Sequence, residues 1–413
     1  MLPVGLINSR ITLAGSRSCA INLSCRTQVV RFAHADRYAF QLQETGGDTT
    51  WKPFLTATQS GNKNAVWNMY LDLNAKQQLP LFPPTYHSLA LRSIHARKSR
   101  RSNNKNVHQK DDPNYRLHFV LENMKATNYK LDIADYNHLL EFYGRNHDWT
   151  TCTAYWQQMA SSATSTNVQR NLASYNIYMC AAIRCKKPER VFDILASLMA
   201  SGYQPNTHIY TTLIKAYARL GQPKEADRIF QNAFSEKPSV SQPSSCSQQI
   251  ALYHRSQDYN RNSHRPTTHT FNALIEAHGR QGNLQGLTYI YEKMMPVFLV
   301  QPDVNVYNSL IRWFCVHGEP ETARRIFSDM EKSTVKPNHK SYSSLIHYGA
   351  IKGYQLKSTE ALLEHMKEKY DLKPSASMYR VLIDAYVKAE DEEAAGRLRS
   401  EYESIKSIKS KKA

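Results

Sequence analysis

Six side chains carry an amide or a hydroxyl at one recurring place in the chain. Asn137, Asn176, Thr211, Asn272, Asn308 and Ser343 each stand directly after an aromatic residue, at Tyr136, Tyr175, Tyr210, Phe271, Tyr307 and Tyr342. Short polar groups of this kind can hydrogen-bond the Watson–Crick edge of an unpaired base. They can also satisfy the free N–H groups of a first helical turn. Four asparagines at one offset point to a shared external contact rather than to repeated caps. Lys215 and Arg219 lie further along one such segment and can meet phosphate oxygens. The stretch Arg92–Lys110 holds seven Lys or Arg, among them Arg97, Lys98, Arg100 and Arg101, and no acid. Such a block is either a solvated, mobile segment or an arm that touches phosphates without reading sequence.

The elements that must position these groups are legible from spacing. The aromatics are 39, 35, 61, 36 and 35 residues apart, and a further 37 residues lead to Tyr379 in Tyr-Arg-Val-Leu-Ile. After each aromatic, apolar residues follow at i+3 and i+4 and often at i+7, as in Tyr210, Leu213, Ile214 and Tyr217. That is one face of a helix. Small residues such as Ala216, Ala218, Ala277 and Ala385 would let neighbouring helices approach closely. Gly221-Gln222-Pro223, Gly282-Asn283 and Gly318-Glu319-Pro320 then break the pattern, with Gly past a helix and Pro opening the next. A second apolar face follows, as at Ala226, Ile229 and Phe230 or Ala323, Ile326, Phe327 and Met330. Each hairpin is too small to bury its own face, so hairpins must stack. The expected fold is all-α, an α-solenoid of stacked helix-turn-helix repeats winding into a superhelix with a concave groove. Periodicity alone does not give its hand.

The recurrent Tyr-Asn-x-Leu-Ile, with Pro-Asp or Pro-Asn closing many units (Gln204-Pro205-Asn206, Gln301-Pro302-Asp303, Lys336-Pro337-Asn338), resembles the pentatricopeptide repeat family. The resemblance covers roughly residues 83–410 and divides them into 83–132, 133–171, 172–206, 207–267, 268–303, 304–338, 339–375 and 376–410. A Ser- and Gln-rich insertion at 235–265 accounts for the long step. The tetratricopeptide pattern Trp-x-x-Leu-Gly-x-x-Tyr is missing. The resemblance implies that a base is chosen by the fifth residue of a repeat together with its last. It pairs Asn137 with Asn171, Asn176 with Asn206, Thr211 with Thr267, Asn272 with Asp303, Asn308 with Asn338, and Ser343 with Ser375. The family's tendencies and its parallel binding then imply the footprint 5′-pyrimidine-pyrimidine-purine-U-pyrimidine-purine-3′. His87 with Asp132, and Arg380, match no family pairing.

Lys and Arg total 53 against 35 acids, a formal +18, which suits an anionic polymer as partner. Residues 1–35 contain four Arg and no acid and read as a mitochondrial transit peptide, with Arg31-Phe32-Ala33 near its cleavage point. Without them the charge is still about 49 − 35 = +14. Residues 36–82 read as a loosely ordered lead-in in which a degenerate hairpin begins near Val66 and Tyr70, and 411–413 as a basic tail. No apolar run approaches the ~20 residues of a membrane span. Seven cysteines include no Cys-x-x-Cys pair, so no zinc or redox motif is supported. Cys180 and Cys185 read as small core residues of one helix. The acids Asp384, Glu390, Asp391, Glu392 and Glu393 read as solvated helix ends, and the repeats run almost to Ala413, leaving no room for a catalytic domain. The expected function is therefore non-enzymatic, without cofactor or small-molecule substrate. The chain would bind single-stranded RNA, messenger or ribosomal, in the mitochondrial matrix, serving RNA stabilisation, processing or translational activation. The alternative is a scaffold that binds a protein, such as a component of the mitochondrial ribosome.

Overall fold

The structure is a computed structural model that describes residues 51–95, 112–162, 168–234, 265–352 and 355–410. The transit segment, most of the insertion and Arg97, Lys98, Arg100 and Arg101 lie outside the described residues. The described residues are helical, with no strand among them. They fall into two compact units, one holding 51–95 and 112–129, the other beginning at residue 130.

The first unit contains α1 (Lys52–Gln59), α2 (Lys63–Ala75), a single 3₁₀ turn (Leu79–Leu81), α3 (Pro84–Ser93) and α4 (Pro113–Ala126). Proline stands in the first turn of α1, α3 and α4, where its missing N–H has no helical partner to lose. The segment read as a loosely ordered lead-in therefore carries a helix. Its weak periodicity conceals two buried contacts, Phe54 and Ala57. Phe82 organises this unit: the rings of Phe54, Tyr70, Tyr86 and His87 lie 5.0–6.0 Å from it, mostly edge-on. Tyr70 Oη and His87 Nδ1 share a 2.6 Å hydrogen bond, and burial holds the His87 imidazole below its ordinary pKa.

The second unit repeats one construction. Its hairpins are α5 (Ile133–Arg145) with α6 (Trp149–Ser162), α7 (Leu172–Arg184) with α8 (Arg190–Ala200), and α9 (Thr207–Leu220) with α10 (Pro223–Phe234). Then come α11 (Thr268–Arg280) with α12 (Leu284–Tyr289), α13 (Val304–Val316) with α14 (Pro320–Lys332), α15 (His339–Lys352) with α16 (Leu356–Tyr370), and α17 (Ala376–Lys388) with α18 (Glu392–Ser410). The helix α12 runs on through a π-helical turn, Ile290–Met294, into Met295–Val297.

Local chemistry explains where these helices begin. The first helix of each hairpin opens after a residue whose side chain accepts from the first turn. Asp132 accepts from Asp135 N at 2.7 Å, Asn171 from Ser174 N at 2.9 Å, Asn206 from Ile209 N at 3.1 Å and Asp303 from Val306 N at 2.9 Å. Thr267, Asn338 and Ser375 do the same for Thr270, Ser341 and Met378. One such cap contributes on the order of 1 kcal/mol. The turns after six of the seven first helices carry a left-handed residue: Gly221, Gly282 and Gly318 in three hairpins, and His147, Lys186 and Glu390, with φ near +60°, in three more. In the hairpin of α15 and α16, Gln355 takes a φ of 49° just before α16.

Packing follows the apolar faces. Tyr136, Tyr175, Phe271, Tyr307, Tyr342 and Tyr379 are buried, Tyr210 half-buried. Each fully buried aromatic stabilises by roughly 2–3 kcal/mol. The first helices stack in chain order, α5 on α7, α7 on α9, α9 on α11, and so on to α17, each also covered by its own second helix. From Ile214 to Leu398 their interiors merge into one apolar core. Small residues permit the approach: a Cβ on Gly144 would lie 2.5 Å from Ala181 Cβ, and one on Gly279 2.3 Å from the Trp313 ring. The fully buried cysteines are Cys152 and Cys315; Cys180 and Cys185 are half-buried. Cys185 caps the C-terminus of α7 rather than packing inside it, because the helix stops one residue before it.

Candidate functional site

The fifth-position residues lie in the second turn of their helices, one step past the buried aromatic. At that place the first-turn N–H groups are already behind them, and none serves as an N-cap. The capping role falls instead to the residues that close the repeats, Asn171, Asn206, Thr267, Asp303, Asn338 and Ser375. The cap chemistry weighed as the alternative for the asparagines after the aromatics thus belongs to their partners.

The six pairs meet to different degrees. Asn308 Nδ2 donates to Asn338 Oδ1 at 3.3 Å, so this pair is in direct contact. Thr211 and Thr267 are joined through Thr270, whose hydroxyl lies 2.8 Å from the first and 3.2 Å from the second. Asn176 accepts from Thr212 Oγ1 at 2.8 Å rather than from Asn206. Ser343 bonds His347 of its own helix at 3.2 Å, while Ser375 Oγ meets Ser377 Oγ at 2.9 Å. The Oδ1 atoms of Asn137 and Asn272 are buried with no hydrogen-bond partner among the described residues. A buried carbonyl without a donor costs about 1–3 kcal/mol, and no hydrogen bond among the described residues fixes which way these two amides are turned.

Positive charge runs alongside. Arg145, Arg184, Arg219 and Arg280 each stand nine residues after the aromatic, in the last turns of α5, α7, α9 and α11. Of these, the sequence reading singled out Arg219 alone, together with Lys215; the constant offset of nine was the signal available for the rest. Arg219 is exposed and Lys215 half-buried. Arg145 Nε donates to Glu141 Oε1 at 3.0 Å. Burial would raise the Glu141 pKa, but Arg145 and the neighbouring Arg184 together bring it below its ordinary value. Glu276 lies 3.6 Å from Arg280 and 3.7 Å from Arg312, and the Arg312 guanidinium sits 4.6 Å from the Trp313 ring centroid. Burial, with Arg219 and Arg312 nearby, depresses the Arg280 pKa. The register then changes character: Val316 and Ile351 occupy it next, 57% and 73% exposed.

This arrangement supplies donors, acceptors and fixed cations. Among the described residues no His, Cys, Asp or Glu cluster is placed to hold a metal ion, and no helix is long and apolar enough to cross a membrane. In the acidic C-terminal cluster, Asp391 accepts from Ala394 N at 3.0 Å as the cap of α18, and Glu392 pairs with Arg399.

Comparison with known proteins is consistent along the chain. Family models described as "PPR repeat family", "PPR repeat" and "Pentatricopeptide repeat domain" match residues 302–348, 208–233 with 269–295, and 119–161. A chloroplastic pentatricopeptide repeat-containing protein of Arabidopsis thaliana is 27% identical over 196 residues, 47% of this chain and 33% of that protein. A mitochondrial one from the same plant is 25% identical over 232 residues, covering 53% and 40%. The chain spans about a third to two fifths of the length of such curated relatives. Among solved structures, the pentatricopeptide repeat protein PPR10 from maize is similar at 17% identity and a TM-score of 0.43, over 91% of this chain and 61% of that one. The same protein in complex with an 18-nt psaJ RNA element aligns with a TM-score of 0.33, over 87% and 56%.

Proposed function

Because this chain belongs to the pentatricopeptide repeat family, we propose that its second unit binds single-stranded RNA along the first helices, one nucleotide to each repeat. The observation that carries this reading is the pairing of two series on the same helices. Amide and hydroxyl groups recur after the buried aromatics, and Arg145, Arg184, Arg219 and Arg280 recur nine residues beyond them. The first series can address base edges; the second, with Lys215 and Arg312, can meet phosphates without reading sequence. The fifth and last residues of each repeat are the base readers, and the expected footprint is the pyrimidine-pyrimidine-purine-U-pyrimidine-purine hexamer. The basic, acid-free residues 1–35 address the protein to the mitochondrial matrix. There it acts without catalysis, holding a transcript extended so that it is stabilised, processed or opened to translation.

Fluorescence anisotropy of the full chain with labelled single-stranded and duplex RNA tests this. Binding should favour the single strand and weaken steeply as salt rises. A second reading, a scaffold for a protein such as a mitochondrial ribosome component, draws on the exposed Val316 and Ile351. It would be preferred if RNA were ignored at low salt while the chain co-sedimented with ribosomal subunits.

A further inference from the structure

The joint between the repeats 304–338 and 339–375 contains a closed ring of directed hydrogen bonds. Asn338 Oδ1 accepts backbone N–H groups from Lys340 at 2.9 Å and Ser341 at 3.3 Å, which fixes that atom as the oxygen. The Asn308 atom facing it at 3.3 Å must then be the donor Nδ2. Ser341 Oγ in turn accepts the Asn338 backbone N–H at 3.1 Å. Its own proton goes to the nearest acceptor, Asn308 Oδ1 at 2.6 Å; Asn338 Oδ1 and Met330 Sδ are further, at 3.4 and 3.8 Å. Ser341 is fully buried and Asn308 nearly so. The Asn308 amide therefore cannot flip without breaking both bonds; one lone pair of its oxygen is taken by Ser341, and the second Nδ2 proton is left to give.

At the other joints the third residue of the following repeat varies, and with it the partner of the reader. Thr270 there places its hydroxyl 2.8 Å from Thr211. Ser174 there turns to Asn171 Oδ1 at 3.0 Å instead, and the Oδ1 of Asn137 is buried without a partner among the described residues. Val306 there has no hydroxyl, and the Oδ1 of Asn272 is left in the same condition. Only after Asn176 does a different position supply the hydroxyl, Thr212 donating at 2.8 Å while the third residue is Ile209.

We propose that a hydroxyl at the third residue of the following repeat, where it is turned toward the base reader before it, sets that reader's hydrogen-bonding polarity, and that Ser341 so fixes Asn308 with its amide N–H to give. This rests on the RNA-binding reading above and deepens it. A reader locked with an N–H to give, and its oxygen already holding one donor, suits a base that turns a carbonyl oxygen toward it, as uracil does with O4, better than cytosine, which presents an amino group at the same place. Asn272, without such a hydroxyl, can turn either its oxygen or its nitrogen outward. Ser341 and Val306 are thus positioning residues acting through their neighbours.

The test is selection of the full chain and its variants on a randomised single-stranded RNA pool, read as nucleotide preference at each position. The nucleotide facing Asn308 is identified as the one altered by Asn308→Ser. In the parent it should favour uracil over cytosine. In Ser341→Ala that preference should shrink about three- to tenfold, the worth of one hydrogen bond, with the other positions unchanged, and Ser341→Thr should retain it. Val306→Thr should sharpen the neighbouring position, since Asn272 and Asn308 belong to consecutive repeats. This second variant keeps the test decisive if Ser341→Ala fails to fold. A cytosine preference in the parent, an unchanged position in Ser341→Ala, or an even loss across all positions would overturn the inference while leaving RNA binding intact. A parent that selects no RNA would instead overturn the RNA-binding reading, and the inference with it.

Discussion

Gly144 and Gly396 are both helical, and the same substitution should have opposite signs at the two. Alanine is preferred to glycine inside a helix by about 0.8–1.0 kcal/mol. At Gly396, in α18, an added Cβ meets nothing within 4 Å, so Gly396→Ala should stabilise by about that amount. At Gly144, in α5, the same atom would lie 2.5 Å from Ala181 Cβ and 3.0 Å from Ala181 Cα in α7. Carbon atoms prefer separations of about 3.5–4.0 Å, so the two helices must part by about 1 Å. The obstruction includes backbone, which cannot rotate away as a long side chain could. Overpacking of this kind costs about 1–3 kcal/mol. Set against the helix preference, Gly144→Ala should destabilise by up to about 2 kcal/mol. Repeat arrays need not unfold in one step, so native-state hydrogen exchange is the suitable assay. Peptides from α5 and α7 should exchange faster in Gly144→Ala, by up to about 30-fold. Those from α18 should exchange more slowly in Gly396→Ala. Stabilisation of α5 by alanine equal to that of α18 would refute the close approach of the two helices.

Replacing Arg184 and Arg219 together with serine should remove about two phosphate contacts and flatten the log–log salt dependence of RNA binding by about 1.4; an unchanged slope in titrations across salt would remove these arginines from the RNA path. Burial pushes the Cys152 and Cys315 thiols up to about 12, so iodoacetamide at neutral pH should spare both in the folded protein. Mass spectrometry would show modification of the half-buried Cys180 first, and early labelling of Cys152 would contradict the α5–α6 packing. In the first unit, the folded state resists protonation of His87 below its ordinary 6.5. The unfolded chain then binds the extra proton as pH falls through that value, so stability is full above it and declines below it. Exchange in α2 and α3 should accelerate as the solution is acidified, and His87→Gln should blunt that response.

The fold class was legible because hairpin stacking writes itself into spacing. The apolar positions i, i+3 and i+4 after each aromatic are the ones buried, and Ala216, Ala218 and Ala277 lie where helices meet. Three of the turns showed themselves through glycine. Three others did not, because His147, Lys186 and Glu390 take up the same left-handed conformation with ordinary side chains. The α1 helix escaped notice because eight residues with two buried contacts leave too short a pattern to detect. At the candidate site, sequence located polar groups but not their direction. Asn137, Asn272 and Asn308 look alike in the chain, yet one oxygen is satisfied and two are not. That difference comes from a residue more than thirty positions away in sequence, and only the stacking of successive helices brings it near.

The π-helical turn at Ile290–Met294 bears on how such an array can change over time. A π turn is the conformational trace of one extra residue threaded into a helix. Here it falls in the covering helix of its hairpin, while α11 and α13 keep their capped starts and their mutual packing. Length gained by mutation can therefore be absorbed outside the first helices. Their stacking is insulated from such insertions, and a lineage could drift in repeat length while α11 and α13 keep their mutual packing.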